Sequence, residues 1–369
     1  MNNQEIIIGE NIQAILDWLK DNNVRKVFLL TGKNSFELSG AKSYLQPILS
    51  KYAHIQYFDF SENPKIEDVY KGIEILNDEK CDCCITIGGG SVMDMGKLIC
   101  YLKEENTKNP DLIVKNDLAI VKRKIPICAI PTTAGSGAES THFSVVYIDG
   151  NKYSLAHNTI LPDLVNLNPK LSYKMPPYLK AVTGLDALAQ GIESYWSKNA
   201  TNQSREYSAP AIKLVWNNLK KSVLKNDFDA HAKVVLGSNF AGRAINIAKT
   251  TAPHAISYYF TSKHNINHGH AVAFTLGKVF QFNCENAINS NSEMQQVFND
   301  LKDLLHIKEN PQIVIEDFIS ALNIELDYTK LGIDIKKELP IIKKQVNQER
   351  LKNNPFQITE KDYERLIFN

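Results

Sequence analysis

The sequence predicts a protein of two halves, an α/β half with a parallel sheet followed by an all-helical half. Short apolar runs of strand length alternate with helical patterns through the first part of the chain, and from Pro176 onward only helical periodicity continues. Strands that alternate with helices of these lengths form a parallel sheet covered on both faces. We therefore expect an α/β domain over residues 1–172 and an all-helical domain over residues 173–369.

The elements of the first half follow from the spacing of the apolar residues. Helices are expected at residues 12–19, 36–50, 66–76 and 92–102. Strands are expected at residues 26–30, 54–60, 83–87 and 125–130. Asp149-Gly150 lies between two apolar runs and predicts a β-hairpin, because this dipeptide favours the tight turn that joins two antiparallel strands.

The second half carries six longer helical patterns and one that starts near His254. The six patterns cover residues 177–196, 204–221, 231–247, 271–283, 292–305 and 313–322. His254 follows Pro253, which favours the first turn of a helix, and a loop is expected at residues 261–267.

Composition narrows the class of protein. Hydrophobic residues make up 43% of the 369 residues, charged residues 22%, and the net charge is +1, so nothing in the overall charge indicates a nucleic-acid partner. The sequence has no apolar run of eighteen residues and no signal-peptide pattern at its start, and we expect a cytoplasmic protein with no membrane segment. The six cysteines lack disulfide spacing and are expected to be buried free thiols.

Two glycine-rich loops follow predicted strands in the first half. Residues 88–91, GGGS, lie between a strand and a helix, where free N–H groups and the helix dipole can receive a pyrophosphate. The segment is neither GxGxxG nor a P-loop, so a purely structural turn is the alternative. The second loop, residues 131–140, offers two threonine hydroxyls and close backbone approach, and neighbouring strand ends of an open sheet face one crevice.

A cluster of histidines in the second half suggests a metal site. Four of the nine histidines lie between residues 249 and 270: His254, His264, His268 and His270. Asp186 and Gln190 are four residues apart and share one helix face. Asp186 and two of the histidines lie on three separate segments, and together they could bind one divalent ion with one coordination position left open. The alternative is that Asp186 is an N-terminal helix carboxylate paired with Thr183 and that the histidines are surface or core residues.

Six segments together resemble one known family, the iron-containing (group III) alcohol dehydrogenases, of the superfamily that includes glycerol dehydrogenase and dehydroquinate synthase. They occur in family order: GGGSVMDMGK (88–97), PTTAGSGAES (131–140), LPDLVNLNP (161–169), GLDALAQGIESYW (184–196), PHAISYYFTSKHNINHGHA (253–271) and NPFQITEKDYERL (354–366).

The resemblance implies an enzyme with an NAD(P)-binding first domain, a helical second domain, a divalent metal (Fe²⁺ or Zn²⁺) and a dimeric or larger assembly. Carried over by position, the cofactor-binding residues are Gly88, Gly89, Gly90, Ser91, Asp94, Thr132, Thr133 and Ser136. The implied metal ligands, which are also the catalytic residues, are Asp186, His254 and His268. The metal polarises the substrate oxygen while the nicotinamide carries the hydride.

Three positions depart from the family pattern. Gln190 and Tyr258 stand where the family's alcohol dehydrogenases have histidines, so Gln190 either ligates through its amide oxygen or leaves a site of three residues. Zinc then becomes a credible ion beside iron. Gly32 and Lys33 end a strand where NAD-preferring relatives place an aspartate, which favours NADPH over NADH.

Several cations near the proposed metal indicate an anionic substrate, because arginine and lysine bind phosphate-like groups. These candidate substrate-binding residues are His142, Arg243, Lys249 and Lys263. The alternative is that they are solvated surface charges.

The segments THFSVVYIDGNKYSLAH, DALAQGIESYW and INIAKTTAPHAISY resemble the branch that reduces phosphonoacetaldehyde to 2-hydroxyethylphosphonate. We therefore predict an NAD(P)H-dependent, metal-assisted reductase of a small anionic aldehyde, acting in phosphonate metabolism. The alternatives are a dehydrogenase for a short neutral alcohol or aldehyde, a cyclase related to dehydroquinate synthase, and a cofactor-binding protein without activity.

Overall fold

The structure, a computed structural model, describes residues 4–105 and 123–368. The chain divides into two compact units. We call residues 1–133 and 138–175 the sheet unit, and residues 134–137 and 176–369 the helical unit.

The described part of the sheet unit forms the strands β1 Glu5–Ile8, β2 Lys26–Thr31, β3 Ala53–Tyr57, β4 Cys83–Gly88, β5 Ile127–Pro131, β6 Phe143–Ile148, β7 Asn151–Ala156 and β8 Leu164–Leu167. Six of these strands form one sheet in which every pairing is parallel, with the strand order β1-β8-β5-β4-β2-β3. The helices of the unit are α1 Ile12–Asp21, α2 Ser35–Leu38, α3 Ala41–Leu49, α4 Ile66–Asp78, α5 Gly90–Glu105 and α6 Lys170–Tyr173. The predicted α/β fold with a parallel sheet is confirmed.

Both faces of the sheet are buried, as alternation along β2 shows. Val27 and Leu29 join a core cluster with residues of α1 and α3, whereas Phe28 and Leu30 join a second cluster with residues of α4 and α5. Successive side chains of a strand point to opposite faces, so a continuous apolar run supplies both cores. All six cysteines are buried and free, as the sequence predicts.

The predicted hairpin is present and consists of the antiparallel strands β6 and β7. Asp149 has φ 49° and Gly150 has φ 76°. Positive φ at both central residues is the geometry of the two-residue turn that matches strand twist.

Two predictions about the sheet unit are wrong in detail, and two strands were missed. The helix expected at 36–50 is two helices, α2 and α3, because Gly40 adopts a left-handed conformation (φ 82°) between them. Helix α5 begins at Gly90, so Gly90 and Ser91 are helical residues and not loop. Strands β1 and β8 were not predicted, since each has only four residues and carries too little periodicity to recognise.

The helical unit contains no strand between residues 176 and 368, which confirms the predicted all-helical second half. Its helices are α7 Pro177–Trp196, α8 Asn202–Leu224, α9 Phe228–Ala248, α10 Ala252–His264, α11 His268–Ile288, α12 Ser292–Leu304, α13 Pro311–Ser320, α14 Ile335–Gln345, α15 Gln348–Lys352 and α16 Asp362–Phe368. The loop expected at 261–267 is shorter, because α10 runs to His264 and α11 starts at His268. Among the described helices, none combines the length and apolarity needed to span a membrane.

Acid should destabilise the helical unit through His231, a buried residue of α9. Burial, reinforced by the charge of Lys180, lowers the pKa of His231 from 6.5 to about 4. As the pH falls from 6.5 to 4, the unfolded chain binds a proton that the folded chain does not, which lowers the free energy of unfolding by up to about 3 kcal/mol. We expect His231→Gln to reduce the decline in Tm over this range. An equally steep decline in the variant would contradict this assignment.

Candidate metal centre and cofactor loops

The structure brings three predicted metal ligands together within the helical unit. Asp186 lies in the interior of α7, His254 in the first turn of α10, and His268 is the first residue of α11. One ligand atom from each lies within 4.8 Å of the other two. Asp186 and His254 are buried and His268 is half-buried. The alternative that Asp186 is an N-terminal helix carboxylate is wrong, because α7 begins at Pro177.

Both nitrogens of the His254 ring face carboxylates. Nε2 lies 3.2 Å from Oδ1 of Asp186, and Nδ1 contacts Oε1 of Glu193. Burial acts to lower the pKa of His254, but the charge of Glu193 and the hydrogen bonds to the two carboxylates raise it to about 10. Burial likewise acts to raise the pKa of Asp186, yet the bond from His254 and the neighbouring histidine charges hold it below its usual value. The site therefore favours a positive charge.

Gln190 lies on the same face of α7 as Asp186 and is buried. Its side chain acts to lower the pKa of Asp186, and its Oε1 has no hydrogen-bond partner in the described part of the chain. A buried acceptor without a partner is costly and fits a site completed by a ligand. Tyr258 stacks on His268 with ring centroids 5.8 Å apart, so the second residue that replaces a family histidine packs against a ligand.

Two of the clustered histidines have other roles. His264 contacts Glu338 through Nε2 at 2.6 Å, near the end of α10. His270 lies 3.1 Å from the Tyr178 hydroxyl through Nδ1, and its Nε2 lies 2.6 Å from the backbone oxygen of Glu325. Neither residue belongs to the group formed by Asp186, His254 and His268, so at these two positions the alternative of structural histidines fits.

The start of α11 packs directly on the backbone of α7 because residue 269 is glycine. A Cβ at Gly269 would lie 1.8 Å from the backbone oxygen of Val182 and 3.1 Å from Cβ of Asp186. Only a residue without a side chain permits this approach. Gly269 therefore places His268 beside Asp186.

The donor set fits a divalent transition metal. One carboxylate oxygen and two imidazole nitrogens, with the Gln190 oxygen on the same face of α7 as Asp186, match the ligands that zinc and iron accept. These donors are fewer than the ion's usual coordination number, as in catalytic sites. Such an ion would supply Lewis-acid polarisation.

The cofactor candidates of the sheet unit cluster where β4 and β5 end. Gly88 is the last residue of β4, and its backbone oxygen accepts a hydrogen bond of 2.8 Å from the Thr132 N–H. A Cβ at Gly89 would lie 3.4 Å from Cγ2 of Thr133, so the two loops are in contact. Gly90 and Ser91 form the N-terminus of α5 and are half-buried. Ser136 belongs to segment 134–137 of the helical unit.

Asp94 and Lys97 form a charged pair on α5. Burial raises the pKa of Asp94 to about 6, although Lys97 and the backbone N–H of Val145 act to lower it. Burial lowers the pKa of Lys97 to about 8 against the charges of Asp94 and Glu139. Lys97 Nζ donates to the Thr141 hydroxyl at 3.0 Å and to the Phe143 backbone oxygen at 3.1 Å.

The four candidate substrate cations differ in their surroundings. Arg243 is half-buried over the ring of Tyr207, and its buried Nε has no hydrogen-bond partner within residues 4–105 and 123–368. Lys249 is exposed and pairs with Glu349 at 2.8 Å, and Lys263 is exposed on the last turn of α10, which supports the surface-charge alternative for both. His142 is half-buried in the sheet unit, between the two residues that Lys97 binds.

Comparison with known proteins decides the family. A profile of the iron-containing alcohol dehydrogenases matches residues 3–169, and a profile of the C-terminal domain of the same family matches residues 180–368. The chain belongs to the iron-containing alcohol dehydrogenase family. Its predicted class, an oxidoreductase that uses a nicotinamide and a divalent metal, is confirmed with it.

Individual relatives agree with this assignment. A probable alcohol dehydrogenase of Escherichia coli, EutG, is 35% identical over 225 residues, which is 60% of this chain and 56% of that protein. Long-chain-alcohol dehydrogenase 1 of Geobacillus thermodenitrificans is 29% identical over 315 residues, 83% of this chain and 79% of its own length. The chain thus spans little more than half of the Escherichia coli relative.

Solved structures match over the whole chain. The structure of sulfoacetaldehyde reductase from Bifidobacterium kashiwanohense in complex with NAD⁺ is 27% identical, with a TM-score of 0.89, and covers 100% of this chain and 98% of that one. An iron-containing alcohol dehydrogenase from Thermotoga maritima has a TM-score of 0.83 at 24% identity, covering 100% and 97% of the two chains, and shows the same fold.

Sequence reasoning missed one residue of the centre, Glu193. Its position was readable, because Asp186, Gln190 and Glu193 follow one another at spacings of four and three and so share a helix face. The sequence does not indicate its partner, because no local spacing relates Glu193 to His254, which lies 61 residues later.

A methyl group at residue 269 should weaken metal binding. Gly269→Ala forces α11 away from α7 and moves His268 from Asp186, so we expect the Kd for Zn²⁺ to rise about tenfold or more. Gly277→Ala is the control, because it lies on the same helix and meets its nearest atom at 3.1 Å, away from the ligands. Competition with a chromophoric chelator measures both, and equal Kd values for the two variants would contradict the role of Gly269.

Proposed function

We propose that this chain catalyses the NAD(P)H-dependent, metal-assisted reduction of a small anionic aldehyde, with phosphonoacetaldehyde as the first candidate substrate and 2-hydroxyethylphosphonate as the product. The observation that carries the proposal is the convergence of Asp186, His254 and His268 within 4.8 Å. An aldehyde, NAD(P)H and a proton give the alcohol and NAD(P)⁺.

Each group of residues has a distinct task in this reaction. The metal ligands Asp186, His254 and His268 would hold the ion, with Gln190 Oε1 as a further oxygen donor. The divalent ion supplies polarisation of the carbonyl oxygen and the nicotinamide supplies the hydride. The N–H groups of residues 88–91, where β4 ends and α5 begins, would bind the cofactor pyrophosphate.

Arg243 supports the anionic substrate class. Its guanidinium is stacked on Tyr207 and keeps an unpaired, buried Nε, so it is oriented but not neutralised by the described residues. A planar guanidinium binds phosphonate or sulfonate oxygens by charge-assisted hydrogen bonds.

The segment 134–137 connects Arg243 with the metal ligands by packing. A Cβ at Gly135 would lie 2.8 Å from Cβ of Thr183, which is one helix turn before Asp186. A Cβ at Gly137 would lie 2.5 Å from Cα of Gly242, the neighbour of Arg243. Three successive residues of chain span at most about 11 Å, so Gly242 and Thr183 lie in one region of the helical unit. We propose that the neighbouring Arg243 guanidinium serves the metal centre.

A second candidate substrate is sulfoacetaldehyde. The relative from Bifidobacterium kashiwanohense is a sulfoacetaldehyde reductase, and its structure covers this whole chain at 27% identity. Sulfonate and phosphonate are both tetrahedral oxyanions that can follow a two-carbon aldehyde, and they differ in charge. The alternative is a short neutral alcohol or aldehyde. The two alcohol dehydrogenase relatives favour an alcohol as substrate, although the one from Geobacillus thermodenitrificans is named a long-chain-alcohol dehydrogenase.

For the cofactor we propose NADPH ahead of NADH. Lys33 is exposed two residues after β2 and could meet a 2′-phosphate, and residue 32 is a glycine where an aspartate would repel one. The relative cited above was solved with NAD⁺. We further propose a cytoplasmic homodimer. The buried free thiols of all six cysteines support a reducing compartment.

Loss of one ligand should remove the metal. Asp186→Asn keeps the size of the side chain but removes its charge, so we expect the protein to lose its bound ion and kcat/KM to fall by more than about 100-fold. Metal content by mass spectrometry and NADPH oxidation measure the two effects. Asp300→Asn, which changes a carboxylate bonded to Tyr195 in the same unit, is the control. A variant at Asp186 that retains metal and activity would contradict the proposed centre.

Removal of the guanidinium should abolish the preference for an anionic aldehyde. We expect Arg243→Met to lower kcat/KM for phosphonoacetaldehyde or sulfoacetaldehyde about 10- to 100-fold. The kcat/KM for propanal should be nearly unchanged, because propanal has no anionic group that could bind the guanidinium. Lys249→Met is the matched control, because that lysine pairs with Glu349 at the surface. If propanal is the better substrate of the parent enzyme, the anionic class is wrong and the family assignment stands.

A further inference from the structure

The most completely buried carboxylate beside the metal centre is that of Glu193. It is 0% exposed and lies on α7, on the face that carries Asp186. Its Oε1 contacts Nδ1 of His254. Its Oε2 accepts hydrogen bonds from the backbone N–H of Thr251 at 2.6 Å and from the Thr251 hydroxyl at 2.9 Å.

Both partners of Oε2 are donors. The Thr251 hydroxyl accepts a hydrogen bond of 2.9 Å from Trp196 Nε1, so its own proton is free to point at Glu193. The backbone N–H can only donate. A carboxylate offers acceptors on both oxygens, whereas an amide of the same shape would present an N–H to one of these donors. The surroundings therefore favour a glutamate over a glutamine at this position.

We propose that Glu193 is a positioning residue of the metal centre: it fixes the proton of His254 on Nδ1 and directs Nε2 toward Asp186 and the ion. A metal-binding imidazole uses the nitrogen that carries no proton, and a carboxylate on the opposite nitrogen sets both tautomer and ring orientation. This inference rests on the proposed metal centre formed by Asp186, His254 and His268.

The same carboxylate also anchors the helix that carries the ligand. Thr251 immediately precedes α10, and its side chain does not cap that helix. Glu193 reaches from α7 to Thr251 and, three residues on, to His254. One side chain thus fixes both the start of α10 and the ring of its metal ligand.

Cobalt binding tests the proposal on the full-length protein. Co²⁺ serves as the probe because its visible absorption reports on the geometry of its ligands. We expect Glu193→Gln to raise the Kd for Co²⁺ about 10- to 100-fold and to change the visible spectrum of the bound ion. A Kd within about threefold of the parent, with an unchanged spectrum, would overturn the positioning role.

Ser197→Ala controls for a general loss of stability. Ser197 is a buried residue just after α7 whose hydroxyl donates to the Ala248 backbone oxygen at 2.7 Å, and it does not contact the His254 side chain. We expect this variant to lower the Tm of the metal-free protein and to keep the parent Kd and spectrum. If Ser197→Ala weakens cobalt binding as much as Glu193→Gln does, the effect comes from stability alone and the proposal fails.

Cobalt binding by the parent protein and by ligand variants tests the metal centre separately from the role of Glu193. If cobalt binding is lost in His254→Gln and Asp186→Asn but not in Glu193→Gln, the metal centre stands and the role of Glu193 falls. If the parent binds no cobalt at these residues, both fall.

Should Glu193→Gln fail to fold, nitrogen chemical shifts of His254 in the zinc-loaded parent decide the question. A protonated Nδ1 with Nε2 on the metal supports the proposal, and Nδ1 on the metal overturns it. Loss of the signal in His254→Gln assigns it.

Discussion

The metal centre depends on the contact between the backbone of α7 at Val182 and the first turn of α11 at Gly269. This approach is closer than any residue with a Cβ would allow, and it brings His268 beside Asp186. The third candidate ligand, His254 of α10, is positioned by a side-chain contact instead, because its Nδ1 contacts Glu193 of α7. Helix α7 is thus the common support of all three ligands: it carries one, meets the second by a backbone contact, and holds the third through a carboxylate.

Two residues beside the candidate ligands, Gln190 and Tyr258, contribute in different ways. Gln190 is buried on the same face of α7 as Asp186 and acts to lower the pKa of that carboxylate. Tyr258 stacks on the ring of His268 and so packs against a candidate ligand.

Much of this architecture could be predicted from the sequence, and the reasons for success and failure are physical. Long helical segments are predictable, as with α7, because twenty residues of mostly apolar helical pattern with a proline in the first turn give a strong signal. The sequence does not predict strands β1 and β8, because four residues do not establish a period and the two strands, which pair with each other, are far apart in the chain. The convergence of Asp186, His254 and His268 is predictable from residue type and from the family resemblance. The burial of Glu193, the surface pairing of Lys249 and the close approach at Gly269 depend on tertiary contacts that no local pattern contains.

The segment 134–137 belongs to the helical unit although it lies within the stretch of chain that builds the sheet unit. It packs on Thr183 and Gly242 through glycines that leave no space for side chains. A fragment that starts at residue 176 therefore lacks a piece of its own packing surface. An exchange of helical units between relatives has to include these four residues to keep that packing.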